Sequence, residues 1–269
     1  MAAIPRARLP LAWGAAQHRA MRKTALALLL LATSASAEPP LGLDHAIVYA
    51  RPGAPEQAAL KSAGFTVAPT INRDDGQGTS SVTVEFLNGF LELIYPDPGV
   101  RVAPGMEAVA QKFRDRADWR ATGVSPFALQ MHRNASAPAV LPFPTFKVRA
   151  DWMQPGESIE ILTPREAPKA LGLLVPPRAT DVAANLGLAA DPVKGAMFRH
   201  ASGARRITGV EIVAPSADAF PPAPAAYAAR DTMVKFTVGN EWLMILTLDG
   251  GAQGKVRDLG PDLPLILRY

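Results

Sequence analysis

Short apolar runs separated by turn residues make up the sequence between residues 41 and 97. Leu43 to Ala50 is almost entirely apolar and predicts a buried strand. A helix is predicted to begin at Gly53–Glu56, with Pro55 in its first turn, and to end at Gly64. A second short strand is predicted at 65–69.

The rest of this segment predicts a turn and a hairpin. Residues 72–79 are rich in Asn, Asp and Gly, which is typical of a turn. Residues 81–87 alternate apolar and polar side chains, and Asn88-Gly89 then predicts a tight reversal into a strand at 90–95. The predicted order is therefore strand, helix, strand, strand, strand.

Similar patterns recur further along the chain. Apolar residues at helical spacing predict a helix within 104–119, and strands are predicted at 127–131, 145–150 and 159–162. Residues 171–175 predict a buried apolar run. A weaker helix pattern follows at 180–188. A last group consists of a strand at 207–214 and a hairpin, 233–238 and 241–248, which reverses at Gly239-Asn240.

Two polar residues stand inside these apolar runs and are the first candidates for chemistry. His45 interrupts the first strand and Glu92 interrupts the strand at 90–95. A buried polar side chain needs a partner, because an unpaired one costs free energy. Either the two residues satisfy each other in the core, or they face a cavity as ligands or acid/base groups.

The order of elements, with His45 and Glu92 in the first and last strands, resembles the repeat unit of the vicinal oxygen chelate superfamily, in its glyoxalase-like branch. The resemblance implies an α+β fold in which repeated βαβββ-type units form cupped, half-barrel mixed sheets. It covers 38–269 as a glyoxalase-like domain, with a first unit at 41–97, a middle unit at 105–176 and a last unit at 205–250.

The resemblance also implies a divalent metal held by first and last strands of paired units. His45 and Glu92 would be its ligands, and they suit Fe(II), Mn(II), Ni(II) or Zn(II). Aligning the last unit with the first places Val210 at the position of His45 and Met244 at that of Glu92. Two protein ligands make a weak site, so a third would have to come from elsewhere.

Four further residues are candidates for ligand binding. Asn72 and Arg73 begin the Gly-rich turn, which could cover the mouth of a cavity. His200 and Arg206 lie in the loop that enters the last unit, which borders the cavity in the resemblance. Arginine could bind a carboxylate, although solvated surface positions are the alternative for all four residues.

Composition narrows the remaining possibilities. Residues 1–37 combine a basic start, an apolar segment at 24–33 and Ala35-Ser36-Ala37, which predicts a secretory signal with a possible upstream extension. Five of the 28 basic residues and none of the 24 acidic ones lie there, so the mature chain carries a net charge of −1. Nucleic-acid binding therefore loses its electrostatic support. The chain has no cysteine, which excludes disulfides and thiolate metal sites.

The sequence thus predicts an exported, periplasmic protein with a cavity for a small polar organic molecule and no membrane span in its mature form. One hypothesis is a metal-dependent lyase, isomerase or dioxygenase, in which His45 and Glu92 act as ligands or as acid and base. The alternative is a non-catalytic binding or sequestering protein that has lost the metal site. A homodimer is a further expectation, drawn from the sequestering proteins of the same family.

Overall fold

The computed structural model describes residues 38–269, and the predicted export signal at 1–37 lies outside them. The described chain is a mixed α+β protein with five α-helices and 13 strands, which confirms the predicted fold class. No helix within residues 38–269 is long and apolar enough to cross a membrane.

Two units combine into one curled, half-barrel mixed sheet of eight strands. The first contains β1 (Leu41–Tyr49), α1 (Gln57–Ser62), β2 (Asn72–Asp74), β3 (Thr79–Phe86) and β4 (Gly89–Pro96). The second contains α2 (Glu107–Ala117), α3 (Trp119–Thr122), β5 (Phe127–Arg133), β6 (Phe146–Val148), β7 (Ile159–Ile161) and β8 (Gly172–Val175). The strand order is β2-β3-β4-β1-β5-β8-β7-β6, so the units meet through their first strands.

The rest of the chain builds a second sheet of five strands, ordered β10-β9-β11-β13-β12. Its elements are α4 (Val182–Ala190), β9 (Ile207–Ala214), α5 (Pro222–Ala228), β10 (Val234–Val238), β11 (Leu243–Leu248), β12 (Val256–Asp258) and β13 (Leu265–Arg268). Along this order the neighbouring strands are parallel, antiparallel, parallel and antiparallel in turn. The strands β4-β1-β5-β8-β7 of the first sheet show the same succession. The second sheet therefore repeats the middle of the first.

The predicted last hairpin, 233–238 with 241–248, is wrong. β10 pairs with one edge of β9 in parallel, and β11 pairs with the other edge in antiparallel orientation. Gly239 lies in a wider connection across the end of β9, where its N–H donates to the carbonyl of Ala214 at 2.9 Å. The turn residues predict a reversal, but they do not determine which strand becomes the neighbour. The same sheet also takes β12 and β13, which lie beyond the predicted end of the last unit at residue 250.

The predicted strand at 65–69 is also absent. The N–H of Phe65 donates to the carbonyl of Leu60 at the end of α1, and the N–H of Ala68 donates to the carbonyl of Thr83. Pro69 has no N–H, so this segment cannot sustain a ladder along β3. β2, inside the predicted turn at 72–79, pairs with β3 instead.

The core lies between the two sheets. One continuous cluster of buried apolar side chains joins residues of β1, such as Leu43 and Val48, to residues of β9, such as Val210 and Ile212. The other face of the eight-stranded sheet, here called the open face, carries a smaller cluster around Ile47 that Phe113 of α2 partly covers. Above the central strands of this face there is room for a ligand.

A bulge in β1 decides which residues reach the open face. Side chains alternate along a regular strand, so His45 would share the core face with Leu43. The pairing of β1 with β5 shifts between these two residues, and Asp44 is the extra residue. After the bulge Ala46 takes the core position. His45 and Ile47 consequently lie on the open face.

Two buried carboxylates hold the bulge. Asp231, from the loop before β10, accepts hydrogen bonds from the N–H of Leu43 at 2.7 Å and from the N–H of Met233 at 2.9 Å. Asp44 accepts a hydrogen bond from the N–H of Thr180 at 2.6 Å. The polar groups of the irregular segment of β1 therefore find their hydrogen-bond partners in residues that are distant in sequence.

Asp231→Ala should lower the free energy of unfolding by about 2–4 kcal/mol, because it leaves two backbone N–H groups without acceptors, one of them fully buried. Urea unfolding monitored by tryptophan fluorescence measures this change. Asp218→Ala, at an exposed acid, is the matched control and should stay within about 0.5 kcal/mol of the wild type. Equal stabilities for the two variants would contradict the role given to Asp231.

Candidate functional site

A cavity of about 620 Å³ opens on the open face of the eight-stranded sheet. It is called the His45 cavity here. β4, β1 and β5 form its floor, β2 forms one wall and the segment after β8 forms another. Its polar lining consists of His45, Asn72, Arg73, Asp74, Gln77, Glu92, Gln130 and Arg178.

His45 and Glu92 lie side by side in this cavity. β1 and β4 are adjacent parallel strands, and Ile47 is the register partner of Glu92. The Nε2 atom of His45 is 3.6 Å from Oε2 of Glu92. The predicted adjacency of the two strands, with both side chains on one face, is therefore confirmed.

Asp44 fixes the imidazole of His45 from behind. Its Oδ1 atom is 2.6 Å from Nδ1 of His45, and it also accepts a hydrogen bond from the hydroxyl of Thr180 at 2.9 Å. Because a carboxylate can only accept, Nδ1 carries the proton in this contact. The second nitrogen, Nε2, therefore remains available to a ligand in the cavity. Phe90 stacks on the ring with 3.9 Å between centroids and limits its rotation.

Two buried polar atoms of the cavity have no hydrogen-bond partner within the described residues: Nε2 of His45 and Oε1 of Gln130. The two residues are directly opposite each other on β1 and β5. Opposite side chains in an antiparallel pair are only about 4.5–5.5 Å apart at their Cβ atoms. Buried polar groups are almost always satisfied, so this pair is arranged for a partner that residues 38–269 do not supply.

The acid residues around His45 set its protonation. Burial alone would lower the pKa of His45, but the hydrogen bond to Asp44 and the carboxylate of Glu92 raise it above its ordinary value. Burial acts to raise the pKa of Asp44, and His45 together with Thr180 outweighs this and holds it below its ordinary value. The pair favours an ionised Asp44 beside an imidazole that binds a proton readily.

Asp74 is a second titratable group of the cavity. Burial, with the nearby charge of Glu92, raises its pKa to about 6, although a hydrogen bond from Thr79 acts in the opposite direction. Near neutral pH this carboxyl therefore exchanges a proton more easily than an exposed aspartate. Groups with pKa values shifted in this way often serve as acids or bases.

The structure places the other predicted ligand-binding residues in two groups. Asn72 and Arg73 line the His45 cavity, as expected for the segment that borders its mouth. His200 and Arg206 do not line it. His200 is buried elsewhere, where Nδ1 accepts from the N–H of Thr66 and Nε2 donates to the carbonyl of Glu85. The expectation that His200 borders the cavity is thus wrong, because both of its nitrogens are engaged in tying two segments together.

Arg206 is exposed at the start of the second sheet, and its backbone N–H donates to Asp249 at 3.0 Å. Its predicted place at the cavity is not found, because the loop entering the last unit runs to the second sheet and does not cross the open face of the first.

The donor set fits a divalent metal in chemistry. His45, Glu92 and Gln130 offer one imidazole nitrogen and two oxygens from three neighbouring strands. A histidine that gives its other N–H to a carboxylate, as His45 does to Asp44, is the usual arrangement of a metal-bound histidine. Within residues 38–269 no three His, Cys, Asp or Glu side chains form a metal-binding group, so the amide of Gln130 would be the third ligand.

The predicted equivalences in the second sheet need correction. Val210 and Met244 are buried in the core, with exposures of 2% and 0%, and do not occupy ligand positions. The partly exposed polar residue of β9 is Glu211, which pairs with Lys235 at 2.9 Å and accepts from Thr237 at 2.6 Å. Its carboxylate is thus satisfied by its own sheet, which separates it from the unpaired atoms around His45.

The sequence does not single out three important residues of the cavity. Gln130 lies in a predicted strand. The one feature of the sequence that could have indicated its role is a polar amide among apolar neighbours. Asp74 lies in a polar turn pattern that turns out to include β2. Asp44 gives the earliest signal, since it stands beside His45 in an otherwise apolar run, where two polar residues in sequence indicate a bulge.

Asp44→Asn should lower the pKa of His45, because the substitution removes the negative charge beside Nδ1. Titration of the imidazole resonances by NMR measures this pKa. His132, on β5 and outside the cavity, supplies the control resonances in the same spectra. An unchanged pKa of His45 would contradict the proposed electrostatic role of Asp44.

Asp74→Asn should raise the free energy of unfolding at pH 7 by about 1–2 kcal/mol. The folded pKa of Asp74, about 6, lies above its ordinary value of 3.8. Its contribution to stability is therefore complete below the ordinary value and is lost as the pH rises through the folded value. Urea unfolding from pH 4 to pH 8 measures the difference. Asp75→Asn, at an exposed neighbour, is the control, and parallel pH profiles for wild type and Asp74→Asn would disprove the assignment.

No protein-family model and no curated protein sequence matches this chain. Among solved structures, a hypothetical protein from Staphylococcus aureus aligns with 85% of this chain and 98% of its own, at 10% sequence identity and a TM-score of 0.45. A likeness at this level identifies neither a family nor an activity.

Proposed function

We propose that this protein is exported and binds a small polar organic molecule in the His45 cavity, with which His45 exchanges a proton. The observation that supports the proposal is the state of Nε2 of His45. This atom is buried, lacks a hydrogen bond within residues 38–269 and lies 3.6 Å from Glu92. A hydroxyl or acidic C–H group of a ligand would give Nε2 the hydrogen-bond partner that it lacks.

Each polar residue has a role in this proposal. His45 acts as the general base through Nε2, and Asp44 positions the ring and stabilises the imidazolium that forms. Asp74, with a pKa of about 6, is suited to deliver its own proton to a second position of the ligand, while His45 keeps the proton that it removed. Such an arrangement can move a proton between two positions of a bound molecule, as isomerases and lyases do.

The rim supplies groups that could orient a ligand. Arg73 and Asn72 are exposed on β2, and Arg178 faces them from the segment after β8. Arg178 pairs with Glu157 at 3.1 Å, which leaves Arg73 as the less engaged cation. A carboxylate or carbonyl at the rim would be held by these donors while the reacting group faces His45.

A metal-assisted function is the second candidate, and the unpaired Oε1 of Gln130 favours it. His45, Glu92 and Gln130 would hold the ion. A bound divalent metal would polarise a ligand oxygen, which acidifies the neighbouring groups. In this case His45 is occupied as a ligand, and Asp74 remains the titratable group available for proton transfer.

Ligand-observed NMR with a mixture of hydroxy acids, 2-oxo aldehydes and catechols tests the proposal. At least one compound should bind the wild type, and His45→Asn should weaken that binding by roughly tenfold or more, since it removes a hydrogen bond to a charged group. His132→Asn makes the same change on β5 outside the cavity and should bind like the wild type. Equal binding to the wild type and His45→Asn would overturn the proposal.

Metal analysis of the protein purified without chelators separates the two candidates. Stoichiometric iron, manganese, nickel or zinc that is lost in both His45→Asn and Gln130→Leu, and kept in His132→Asn, would establish the metal-assisted function. Organic ligand binding that persists in metal-free protein would support direct proton exchange by His45.

A further inference from the structure

A second cavity lies under α2, beside the His45 cavity. It has a volume of about 220 Å³ and is called the α2 cavity here. The two cavities share the side chains of Tyr49, Gln77, Phe113, Ile159 and Leu174 as their boundary. A ligand of moderate size could therefore extend from one compartment into the other over this boundary.

The walls of the α2 cavity are mainly apolar. Val109 of α2 faces Phe146, Val148 and Ile161 of the strands opposite, and prolines of the loop after β7 close one side. Apolar walls favour an apolar body, because the transfer of apolar surface out of water is favourable.

The charges around this cavity all have one sign. Lys112 and Arg116 of α2 and Arg165 of the loop after β7 line it, while no Asp or Glu among the described residues does. None of the three cations makes a salt bridge within residues 38–269. Lys112 and Arg165 are exposed at the mouth, and Arg165 lies 3.7 Å above the ring of Phe146.

Arg116 is the most deeply placed of these cations. Its guanidinium donates to the carbonyls of Ser125 at 2.8 Å and Ala170 at 3.0 Å, and it lies 5.2 Å from the ring centre of Tyr49. Carbonyl oxygens satisfy hydrogen bonds but do not neutralise a charge. A partly buried guanidinium without a carboxylate makes the site electrostatically favourable for an anion.

We propose that the α2 cavity binds the apolar body of an amphiphilic organic anion, whose negative group is held by Lys112, Arg116 and Arg165. The natural ligand class is then an alkyl or aryl-alkyl carboxylate. This inference rests on the proposed function only in one respect, that a hydroxyl or acidic C–H group of the same ligand, away from its negative group, reaches His45. The charge complementarity of the α2 cavity supports anion binding independently of that step.

Isothermal titration calorimetry with three compounds of the same shape tests the charge preference. The probes are 3-phenylpropionate, 3-phenylpropanol and 3-phenylpropylamine. The carboxylate should bind best, the amine should not bind detectably, and the affinity for the carboxylate should fall as salt is raised from 50 mM to 500 mM. Equal affinities for the carboxylate and the alcohol would overturn the inference.

Variants locate the binding in the α2 cavity. Lys112→Gln/Arg165→Gln should weaken 3-phenylpropionate binding roughly tenfold, since each removes an exposed charge from the mouth. Lys169→Gln, an exposed lysine close to Arg165 that does not line the cavity, is the matched control and should have no effect. Val109→Phe should block binding by filling the space. A double variant that binds like Lys169→Gln would place the anion elsewhere and reject the proposal.

His45→Asn separates this inference from the proposed function. Retained 3-phenylpropionate binding in His45→Asn, together with loss in the Lys112/Arg165 double variant, supports the α2 cavity on its own evidence. Should the wild type bind no 3-phenylpropionate but still bind a polar compound through His45, the proposed function stands and the α2 inference fails.

Discussion

The bulge at Asp44 is the constraint on which the site depends. A strand with regular alternation would bury His45 between the two sheets, in contact with Leu43 and far from solvent. One extra residue shifts the alternation, so that the imidazole reaches the cavity while its carboxylate partner stays directly behind it. The irregularity lies beside the candidate site, as bulges often do.

The arrangement of the sheets explains why one face is left for a ligand. Core packing uses one face of each sheet and joins them into a single apolar cluster. The eight-stranded sheet is wide and curled, so its other face forms a cup that α2 covers only in part. The five-stranded sheet carries Glu211 on its far side, but Lys235 and Thr237 already engage that carboxylate. The cup brings two buried polar atoms without partners among the described residues, Nε2 of His45 and Oε1 of Gln130, onto adjacent strands.

Local patterns predicted much of the first unit. The strands around His45 and Glu92 and their adjacency follow from short apolar runs, turn residues and the resemblance to a known repeat. The pairing of the last strands was predicted wrongly, because local sequence indicates where a chain turns but not which edge of β9 it will meet. Asp74 and Gln130 were missed for a related reason: their significance arises from the carboxylate and imidazole that lie next to them in space.

The contact between Leu43 and Asp231 has a consequence for the order in which the molecule can fold. Its two residues are 188 positions apart, so this loop closes late and slowly. A chain that is synthesised or translocated from its N-terminus presents β1 early, yet the N–H of Leu43 lacks its acceptor until the loop before β10 has emerged. The geometry around His45 is therefore completed by a loop of the second sheet, and intermediates that contain only the first sheet hold its strands without a finished site.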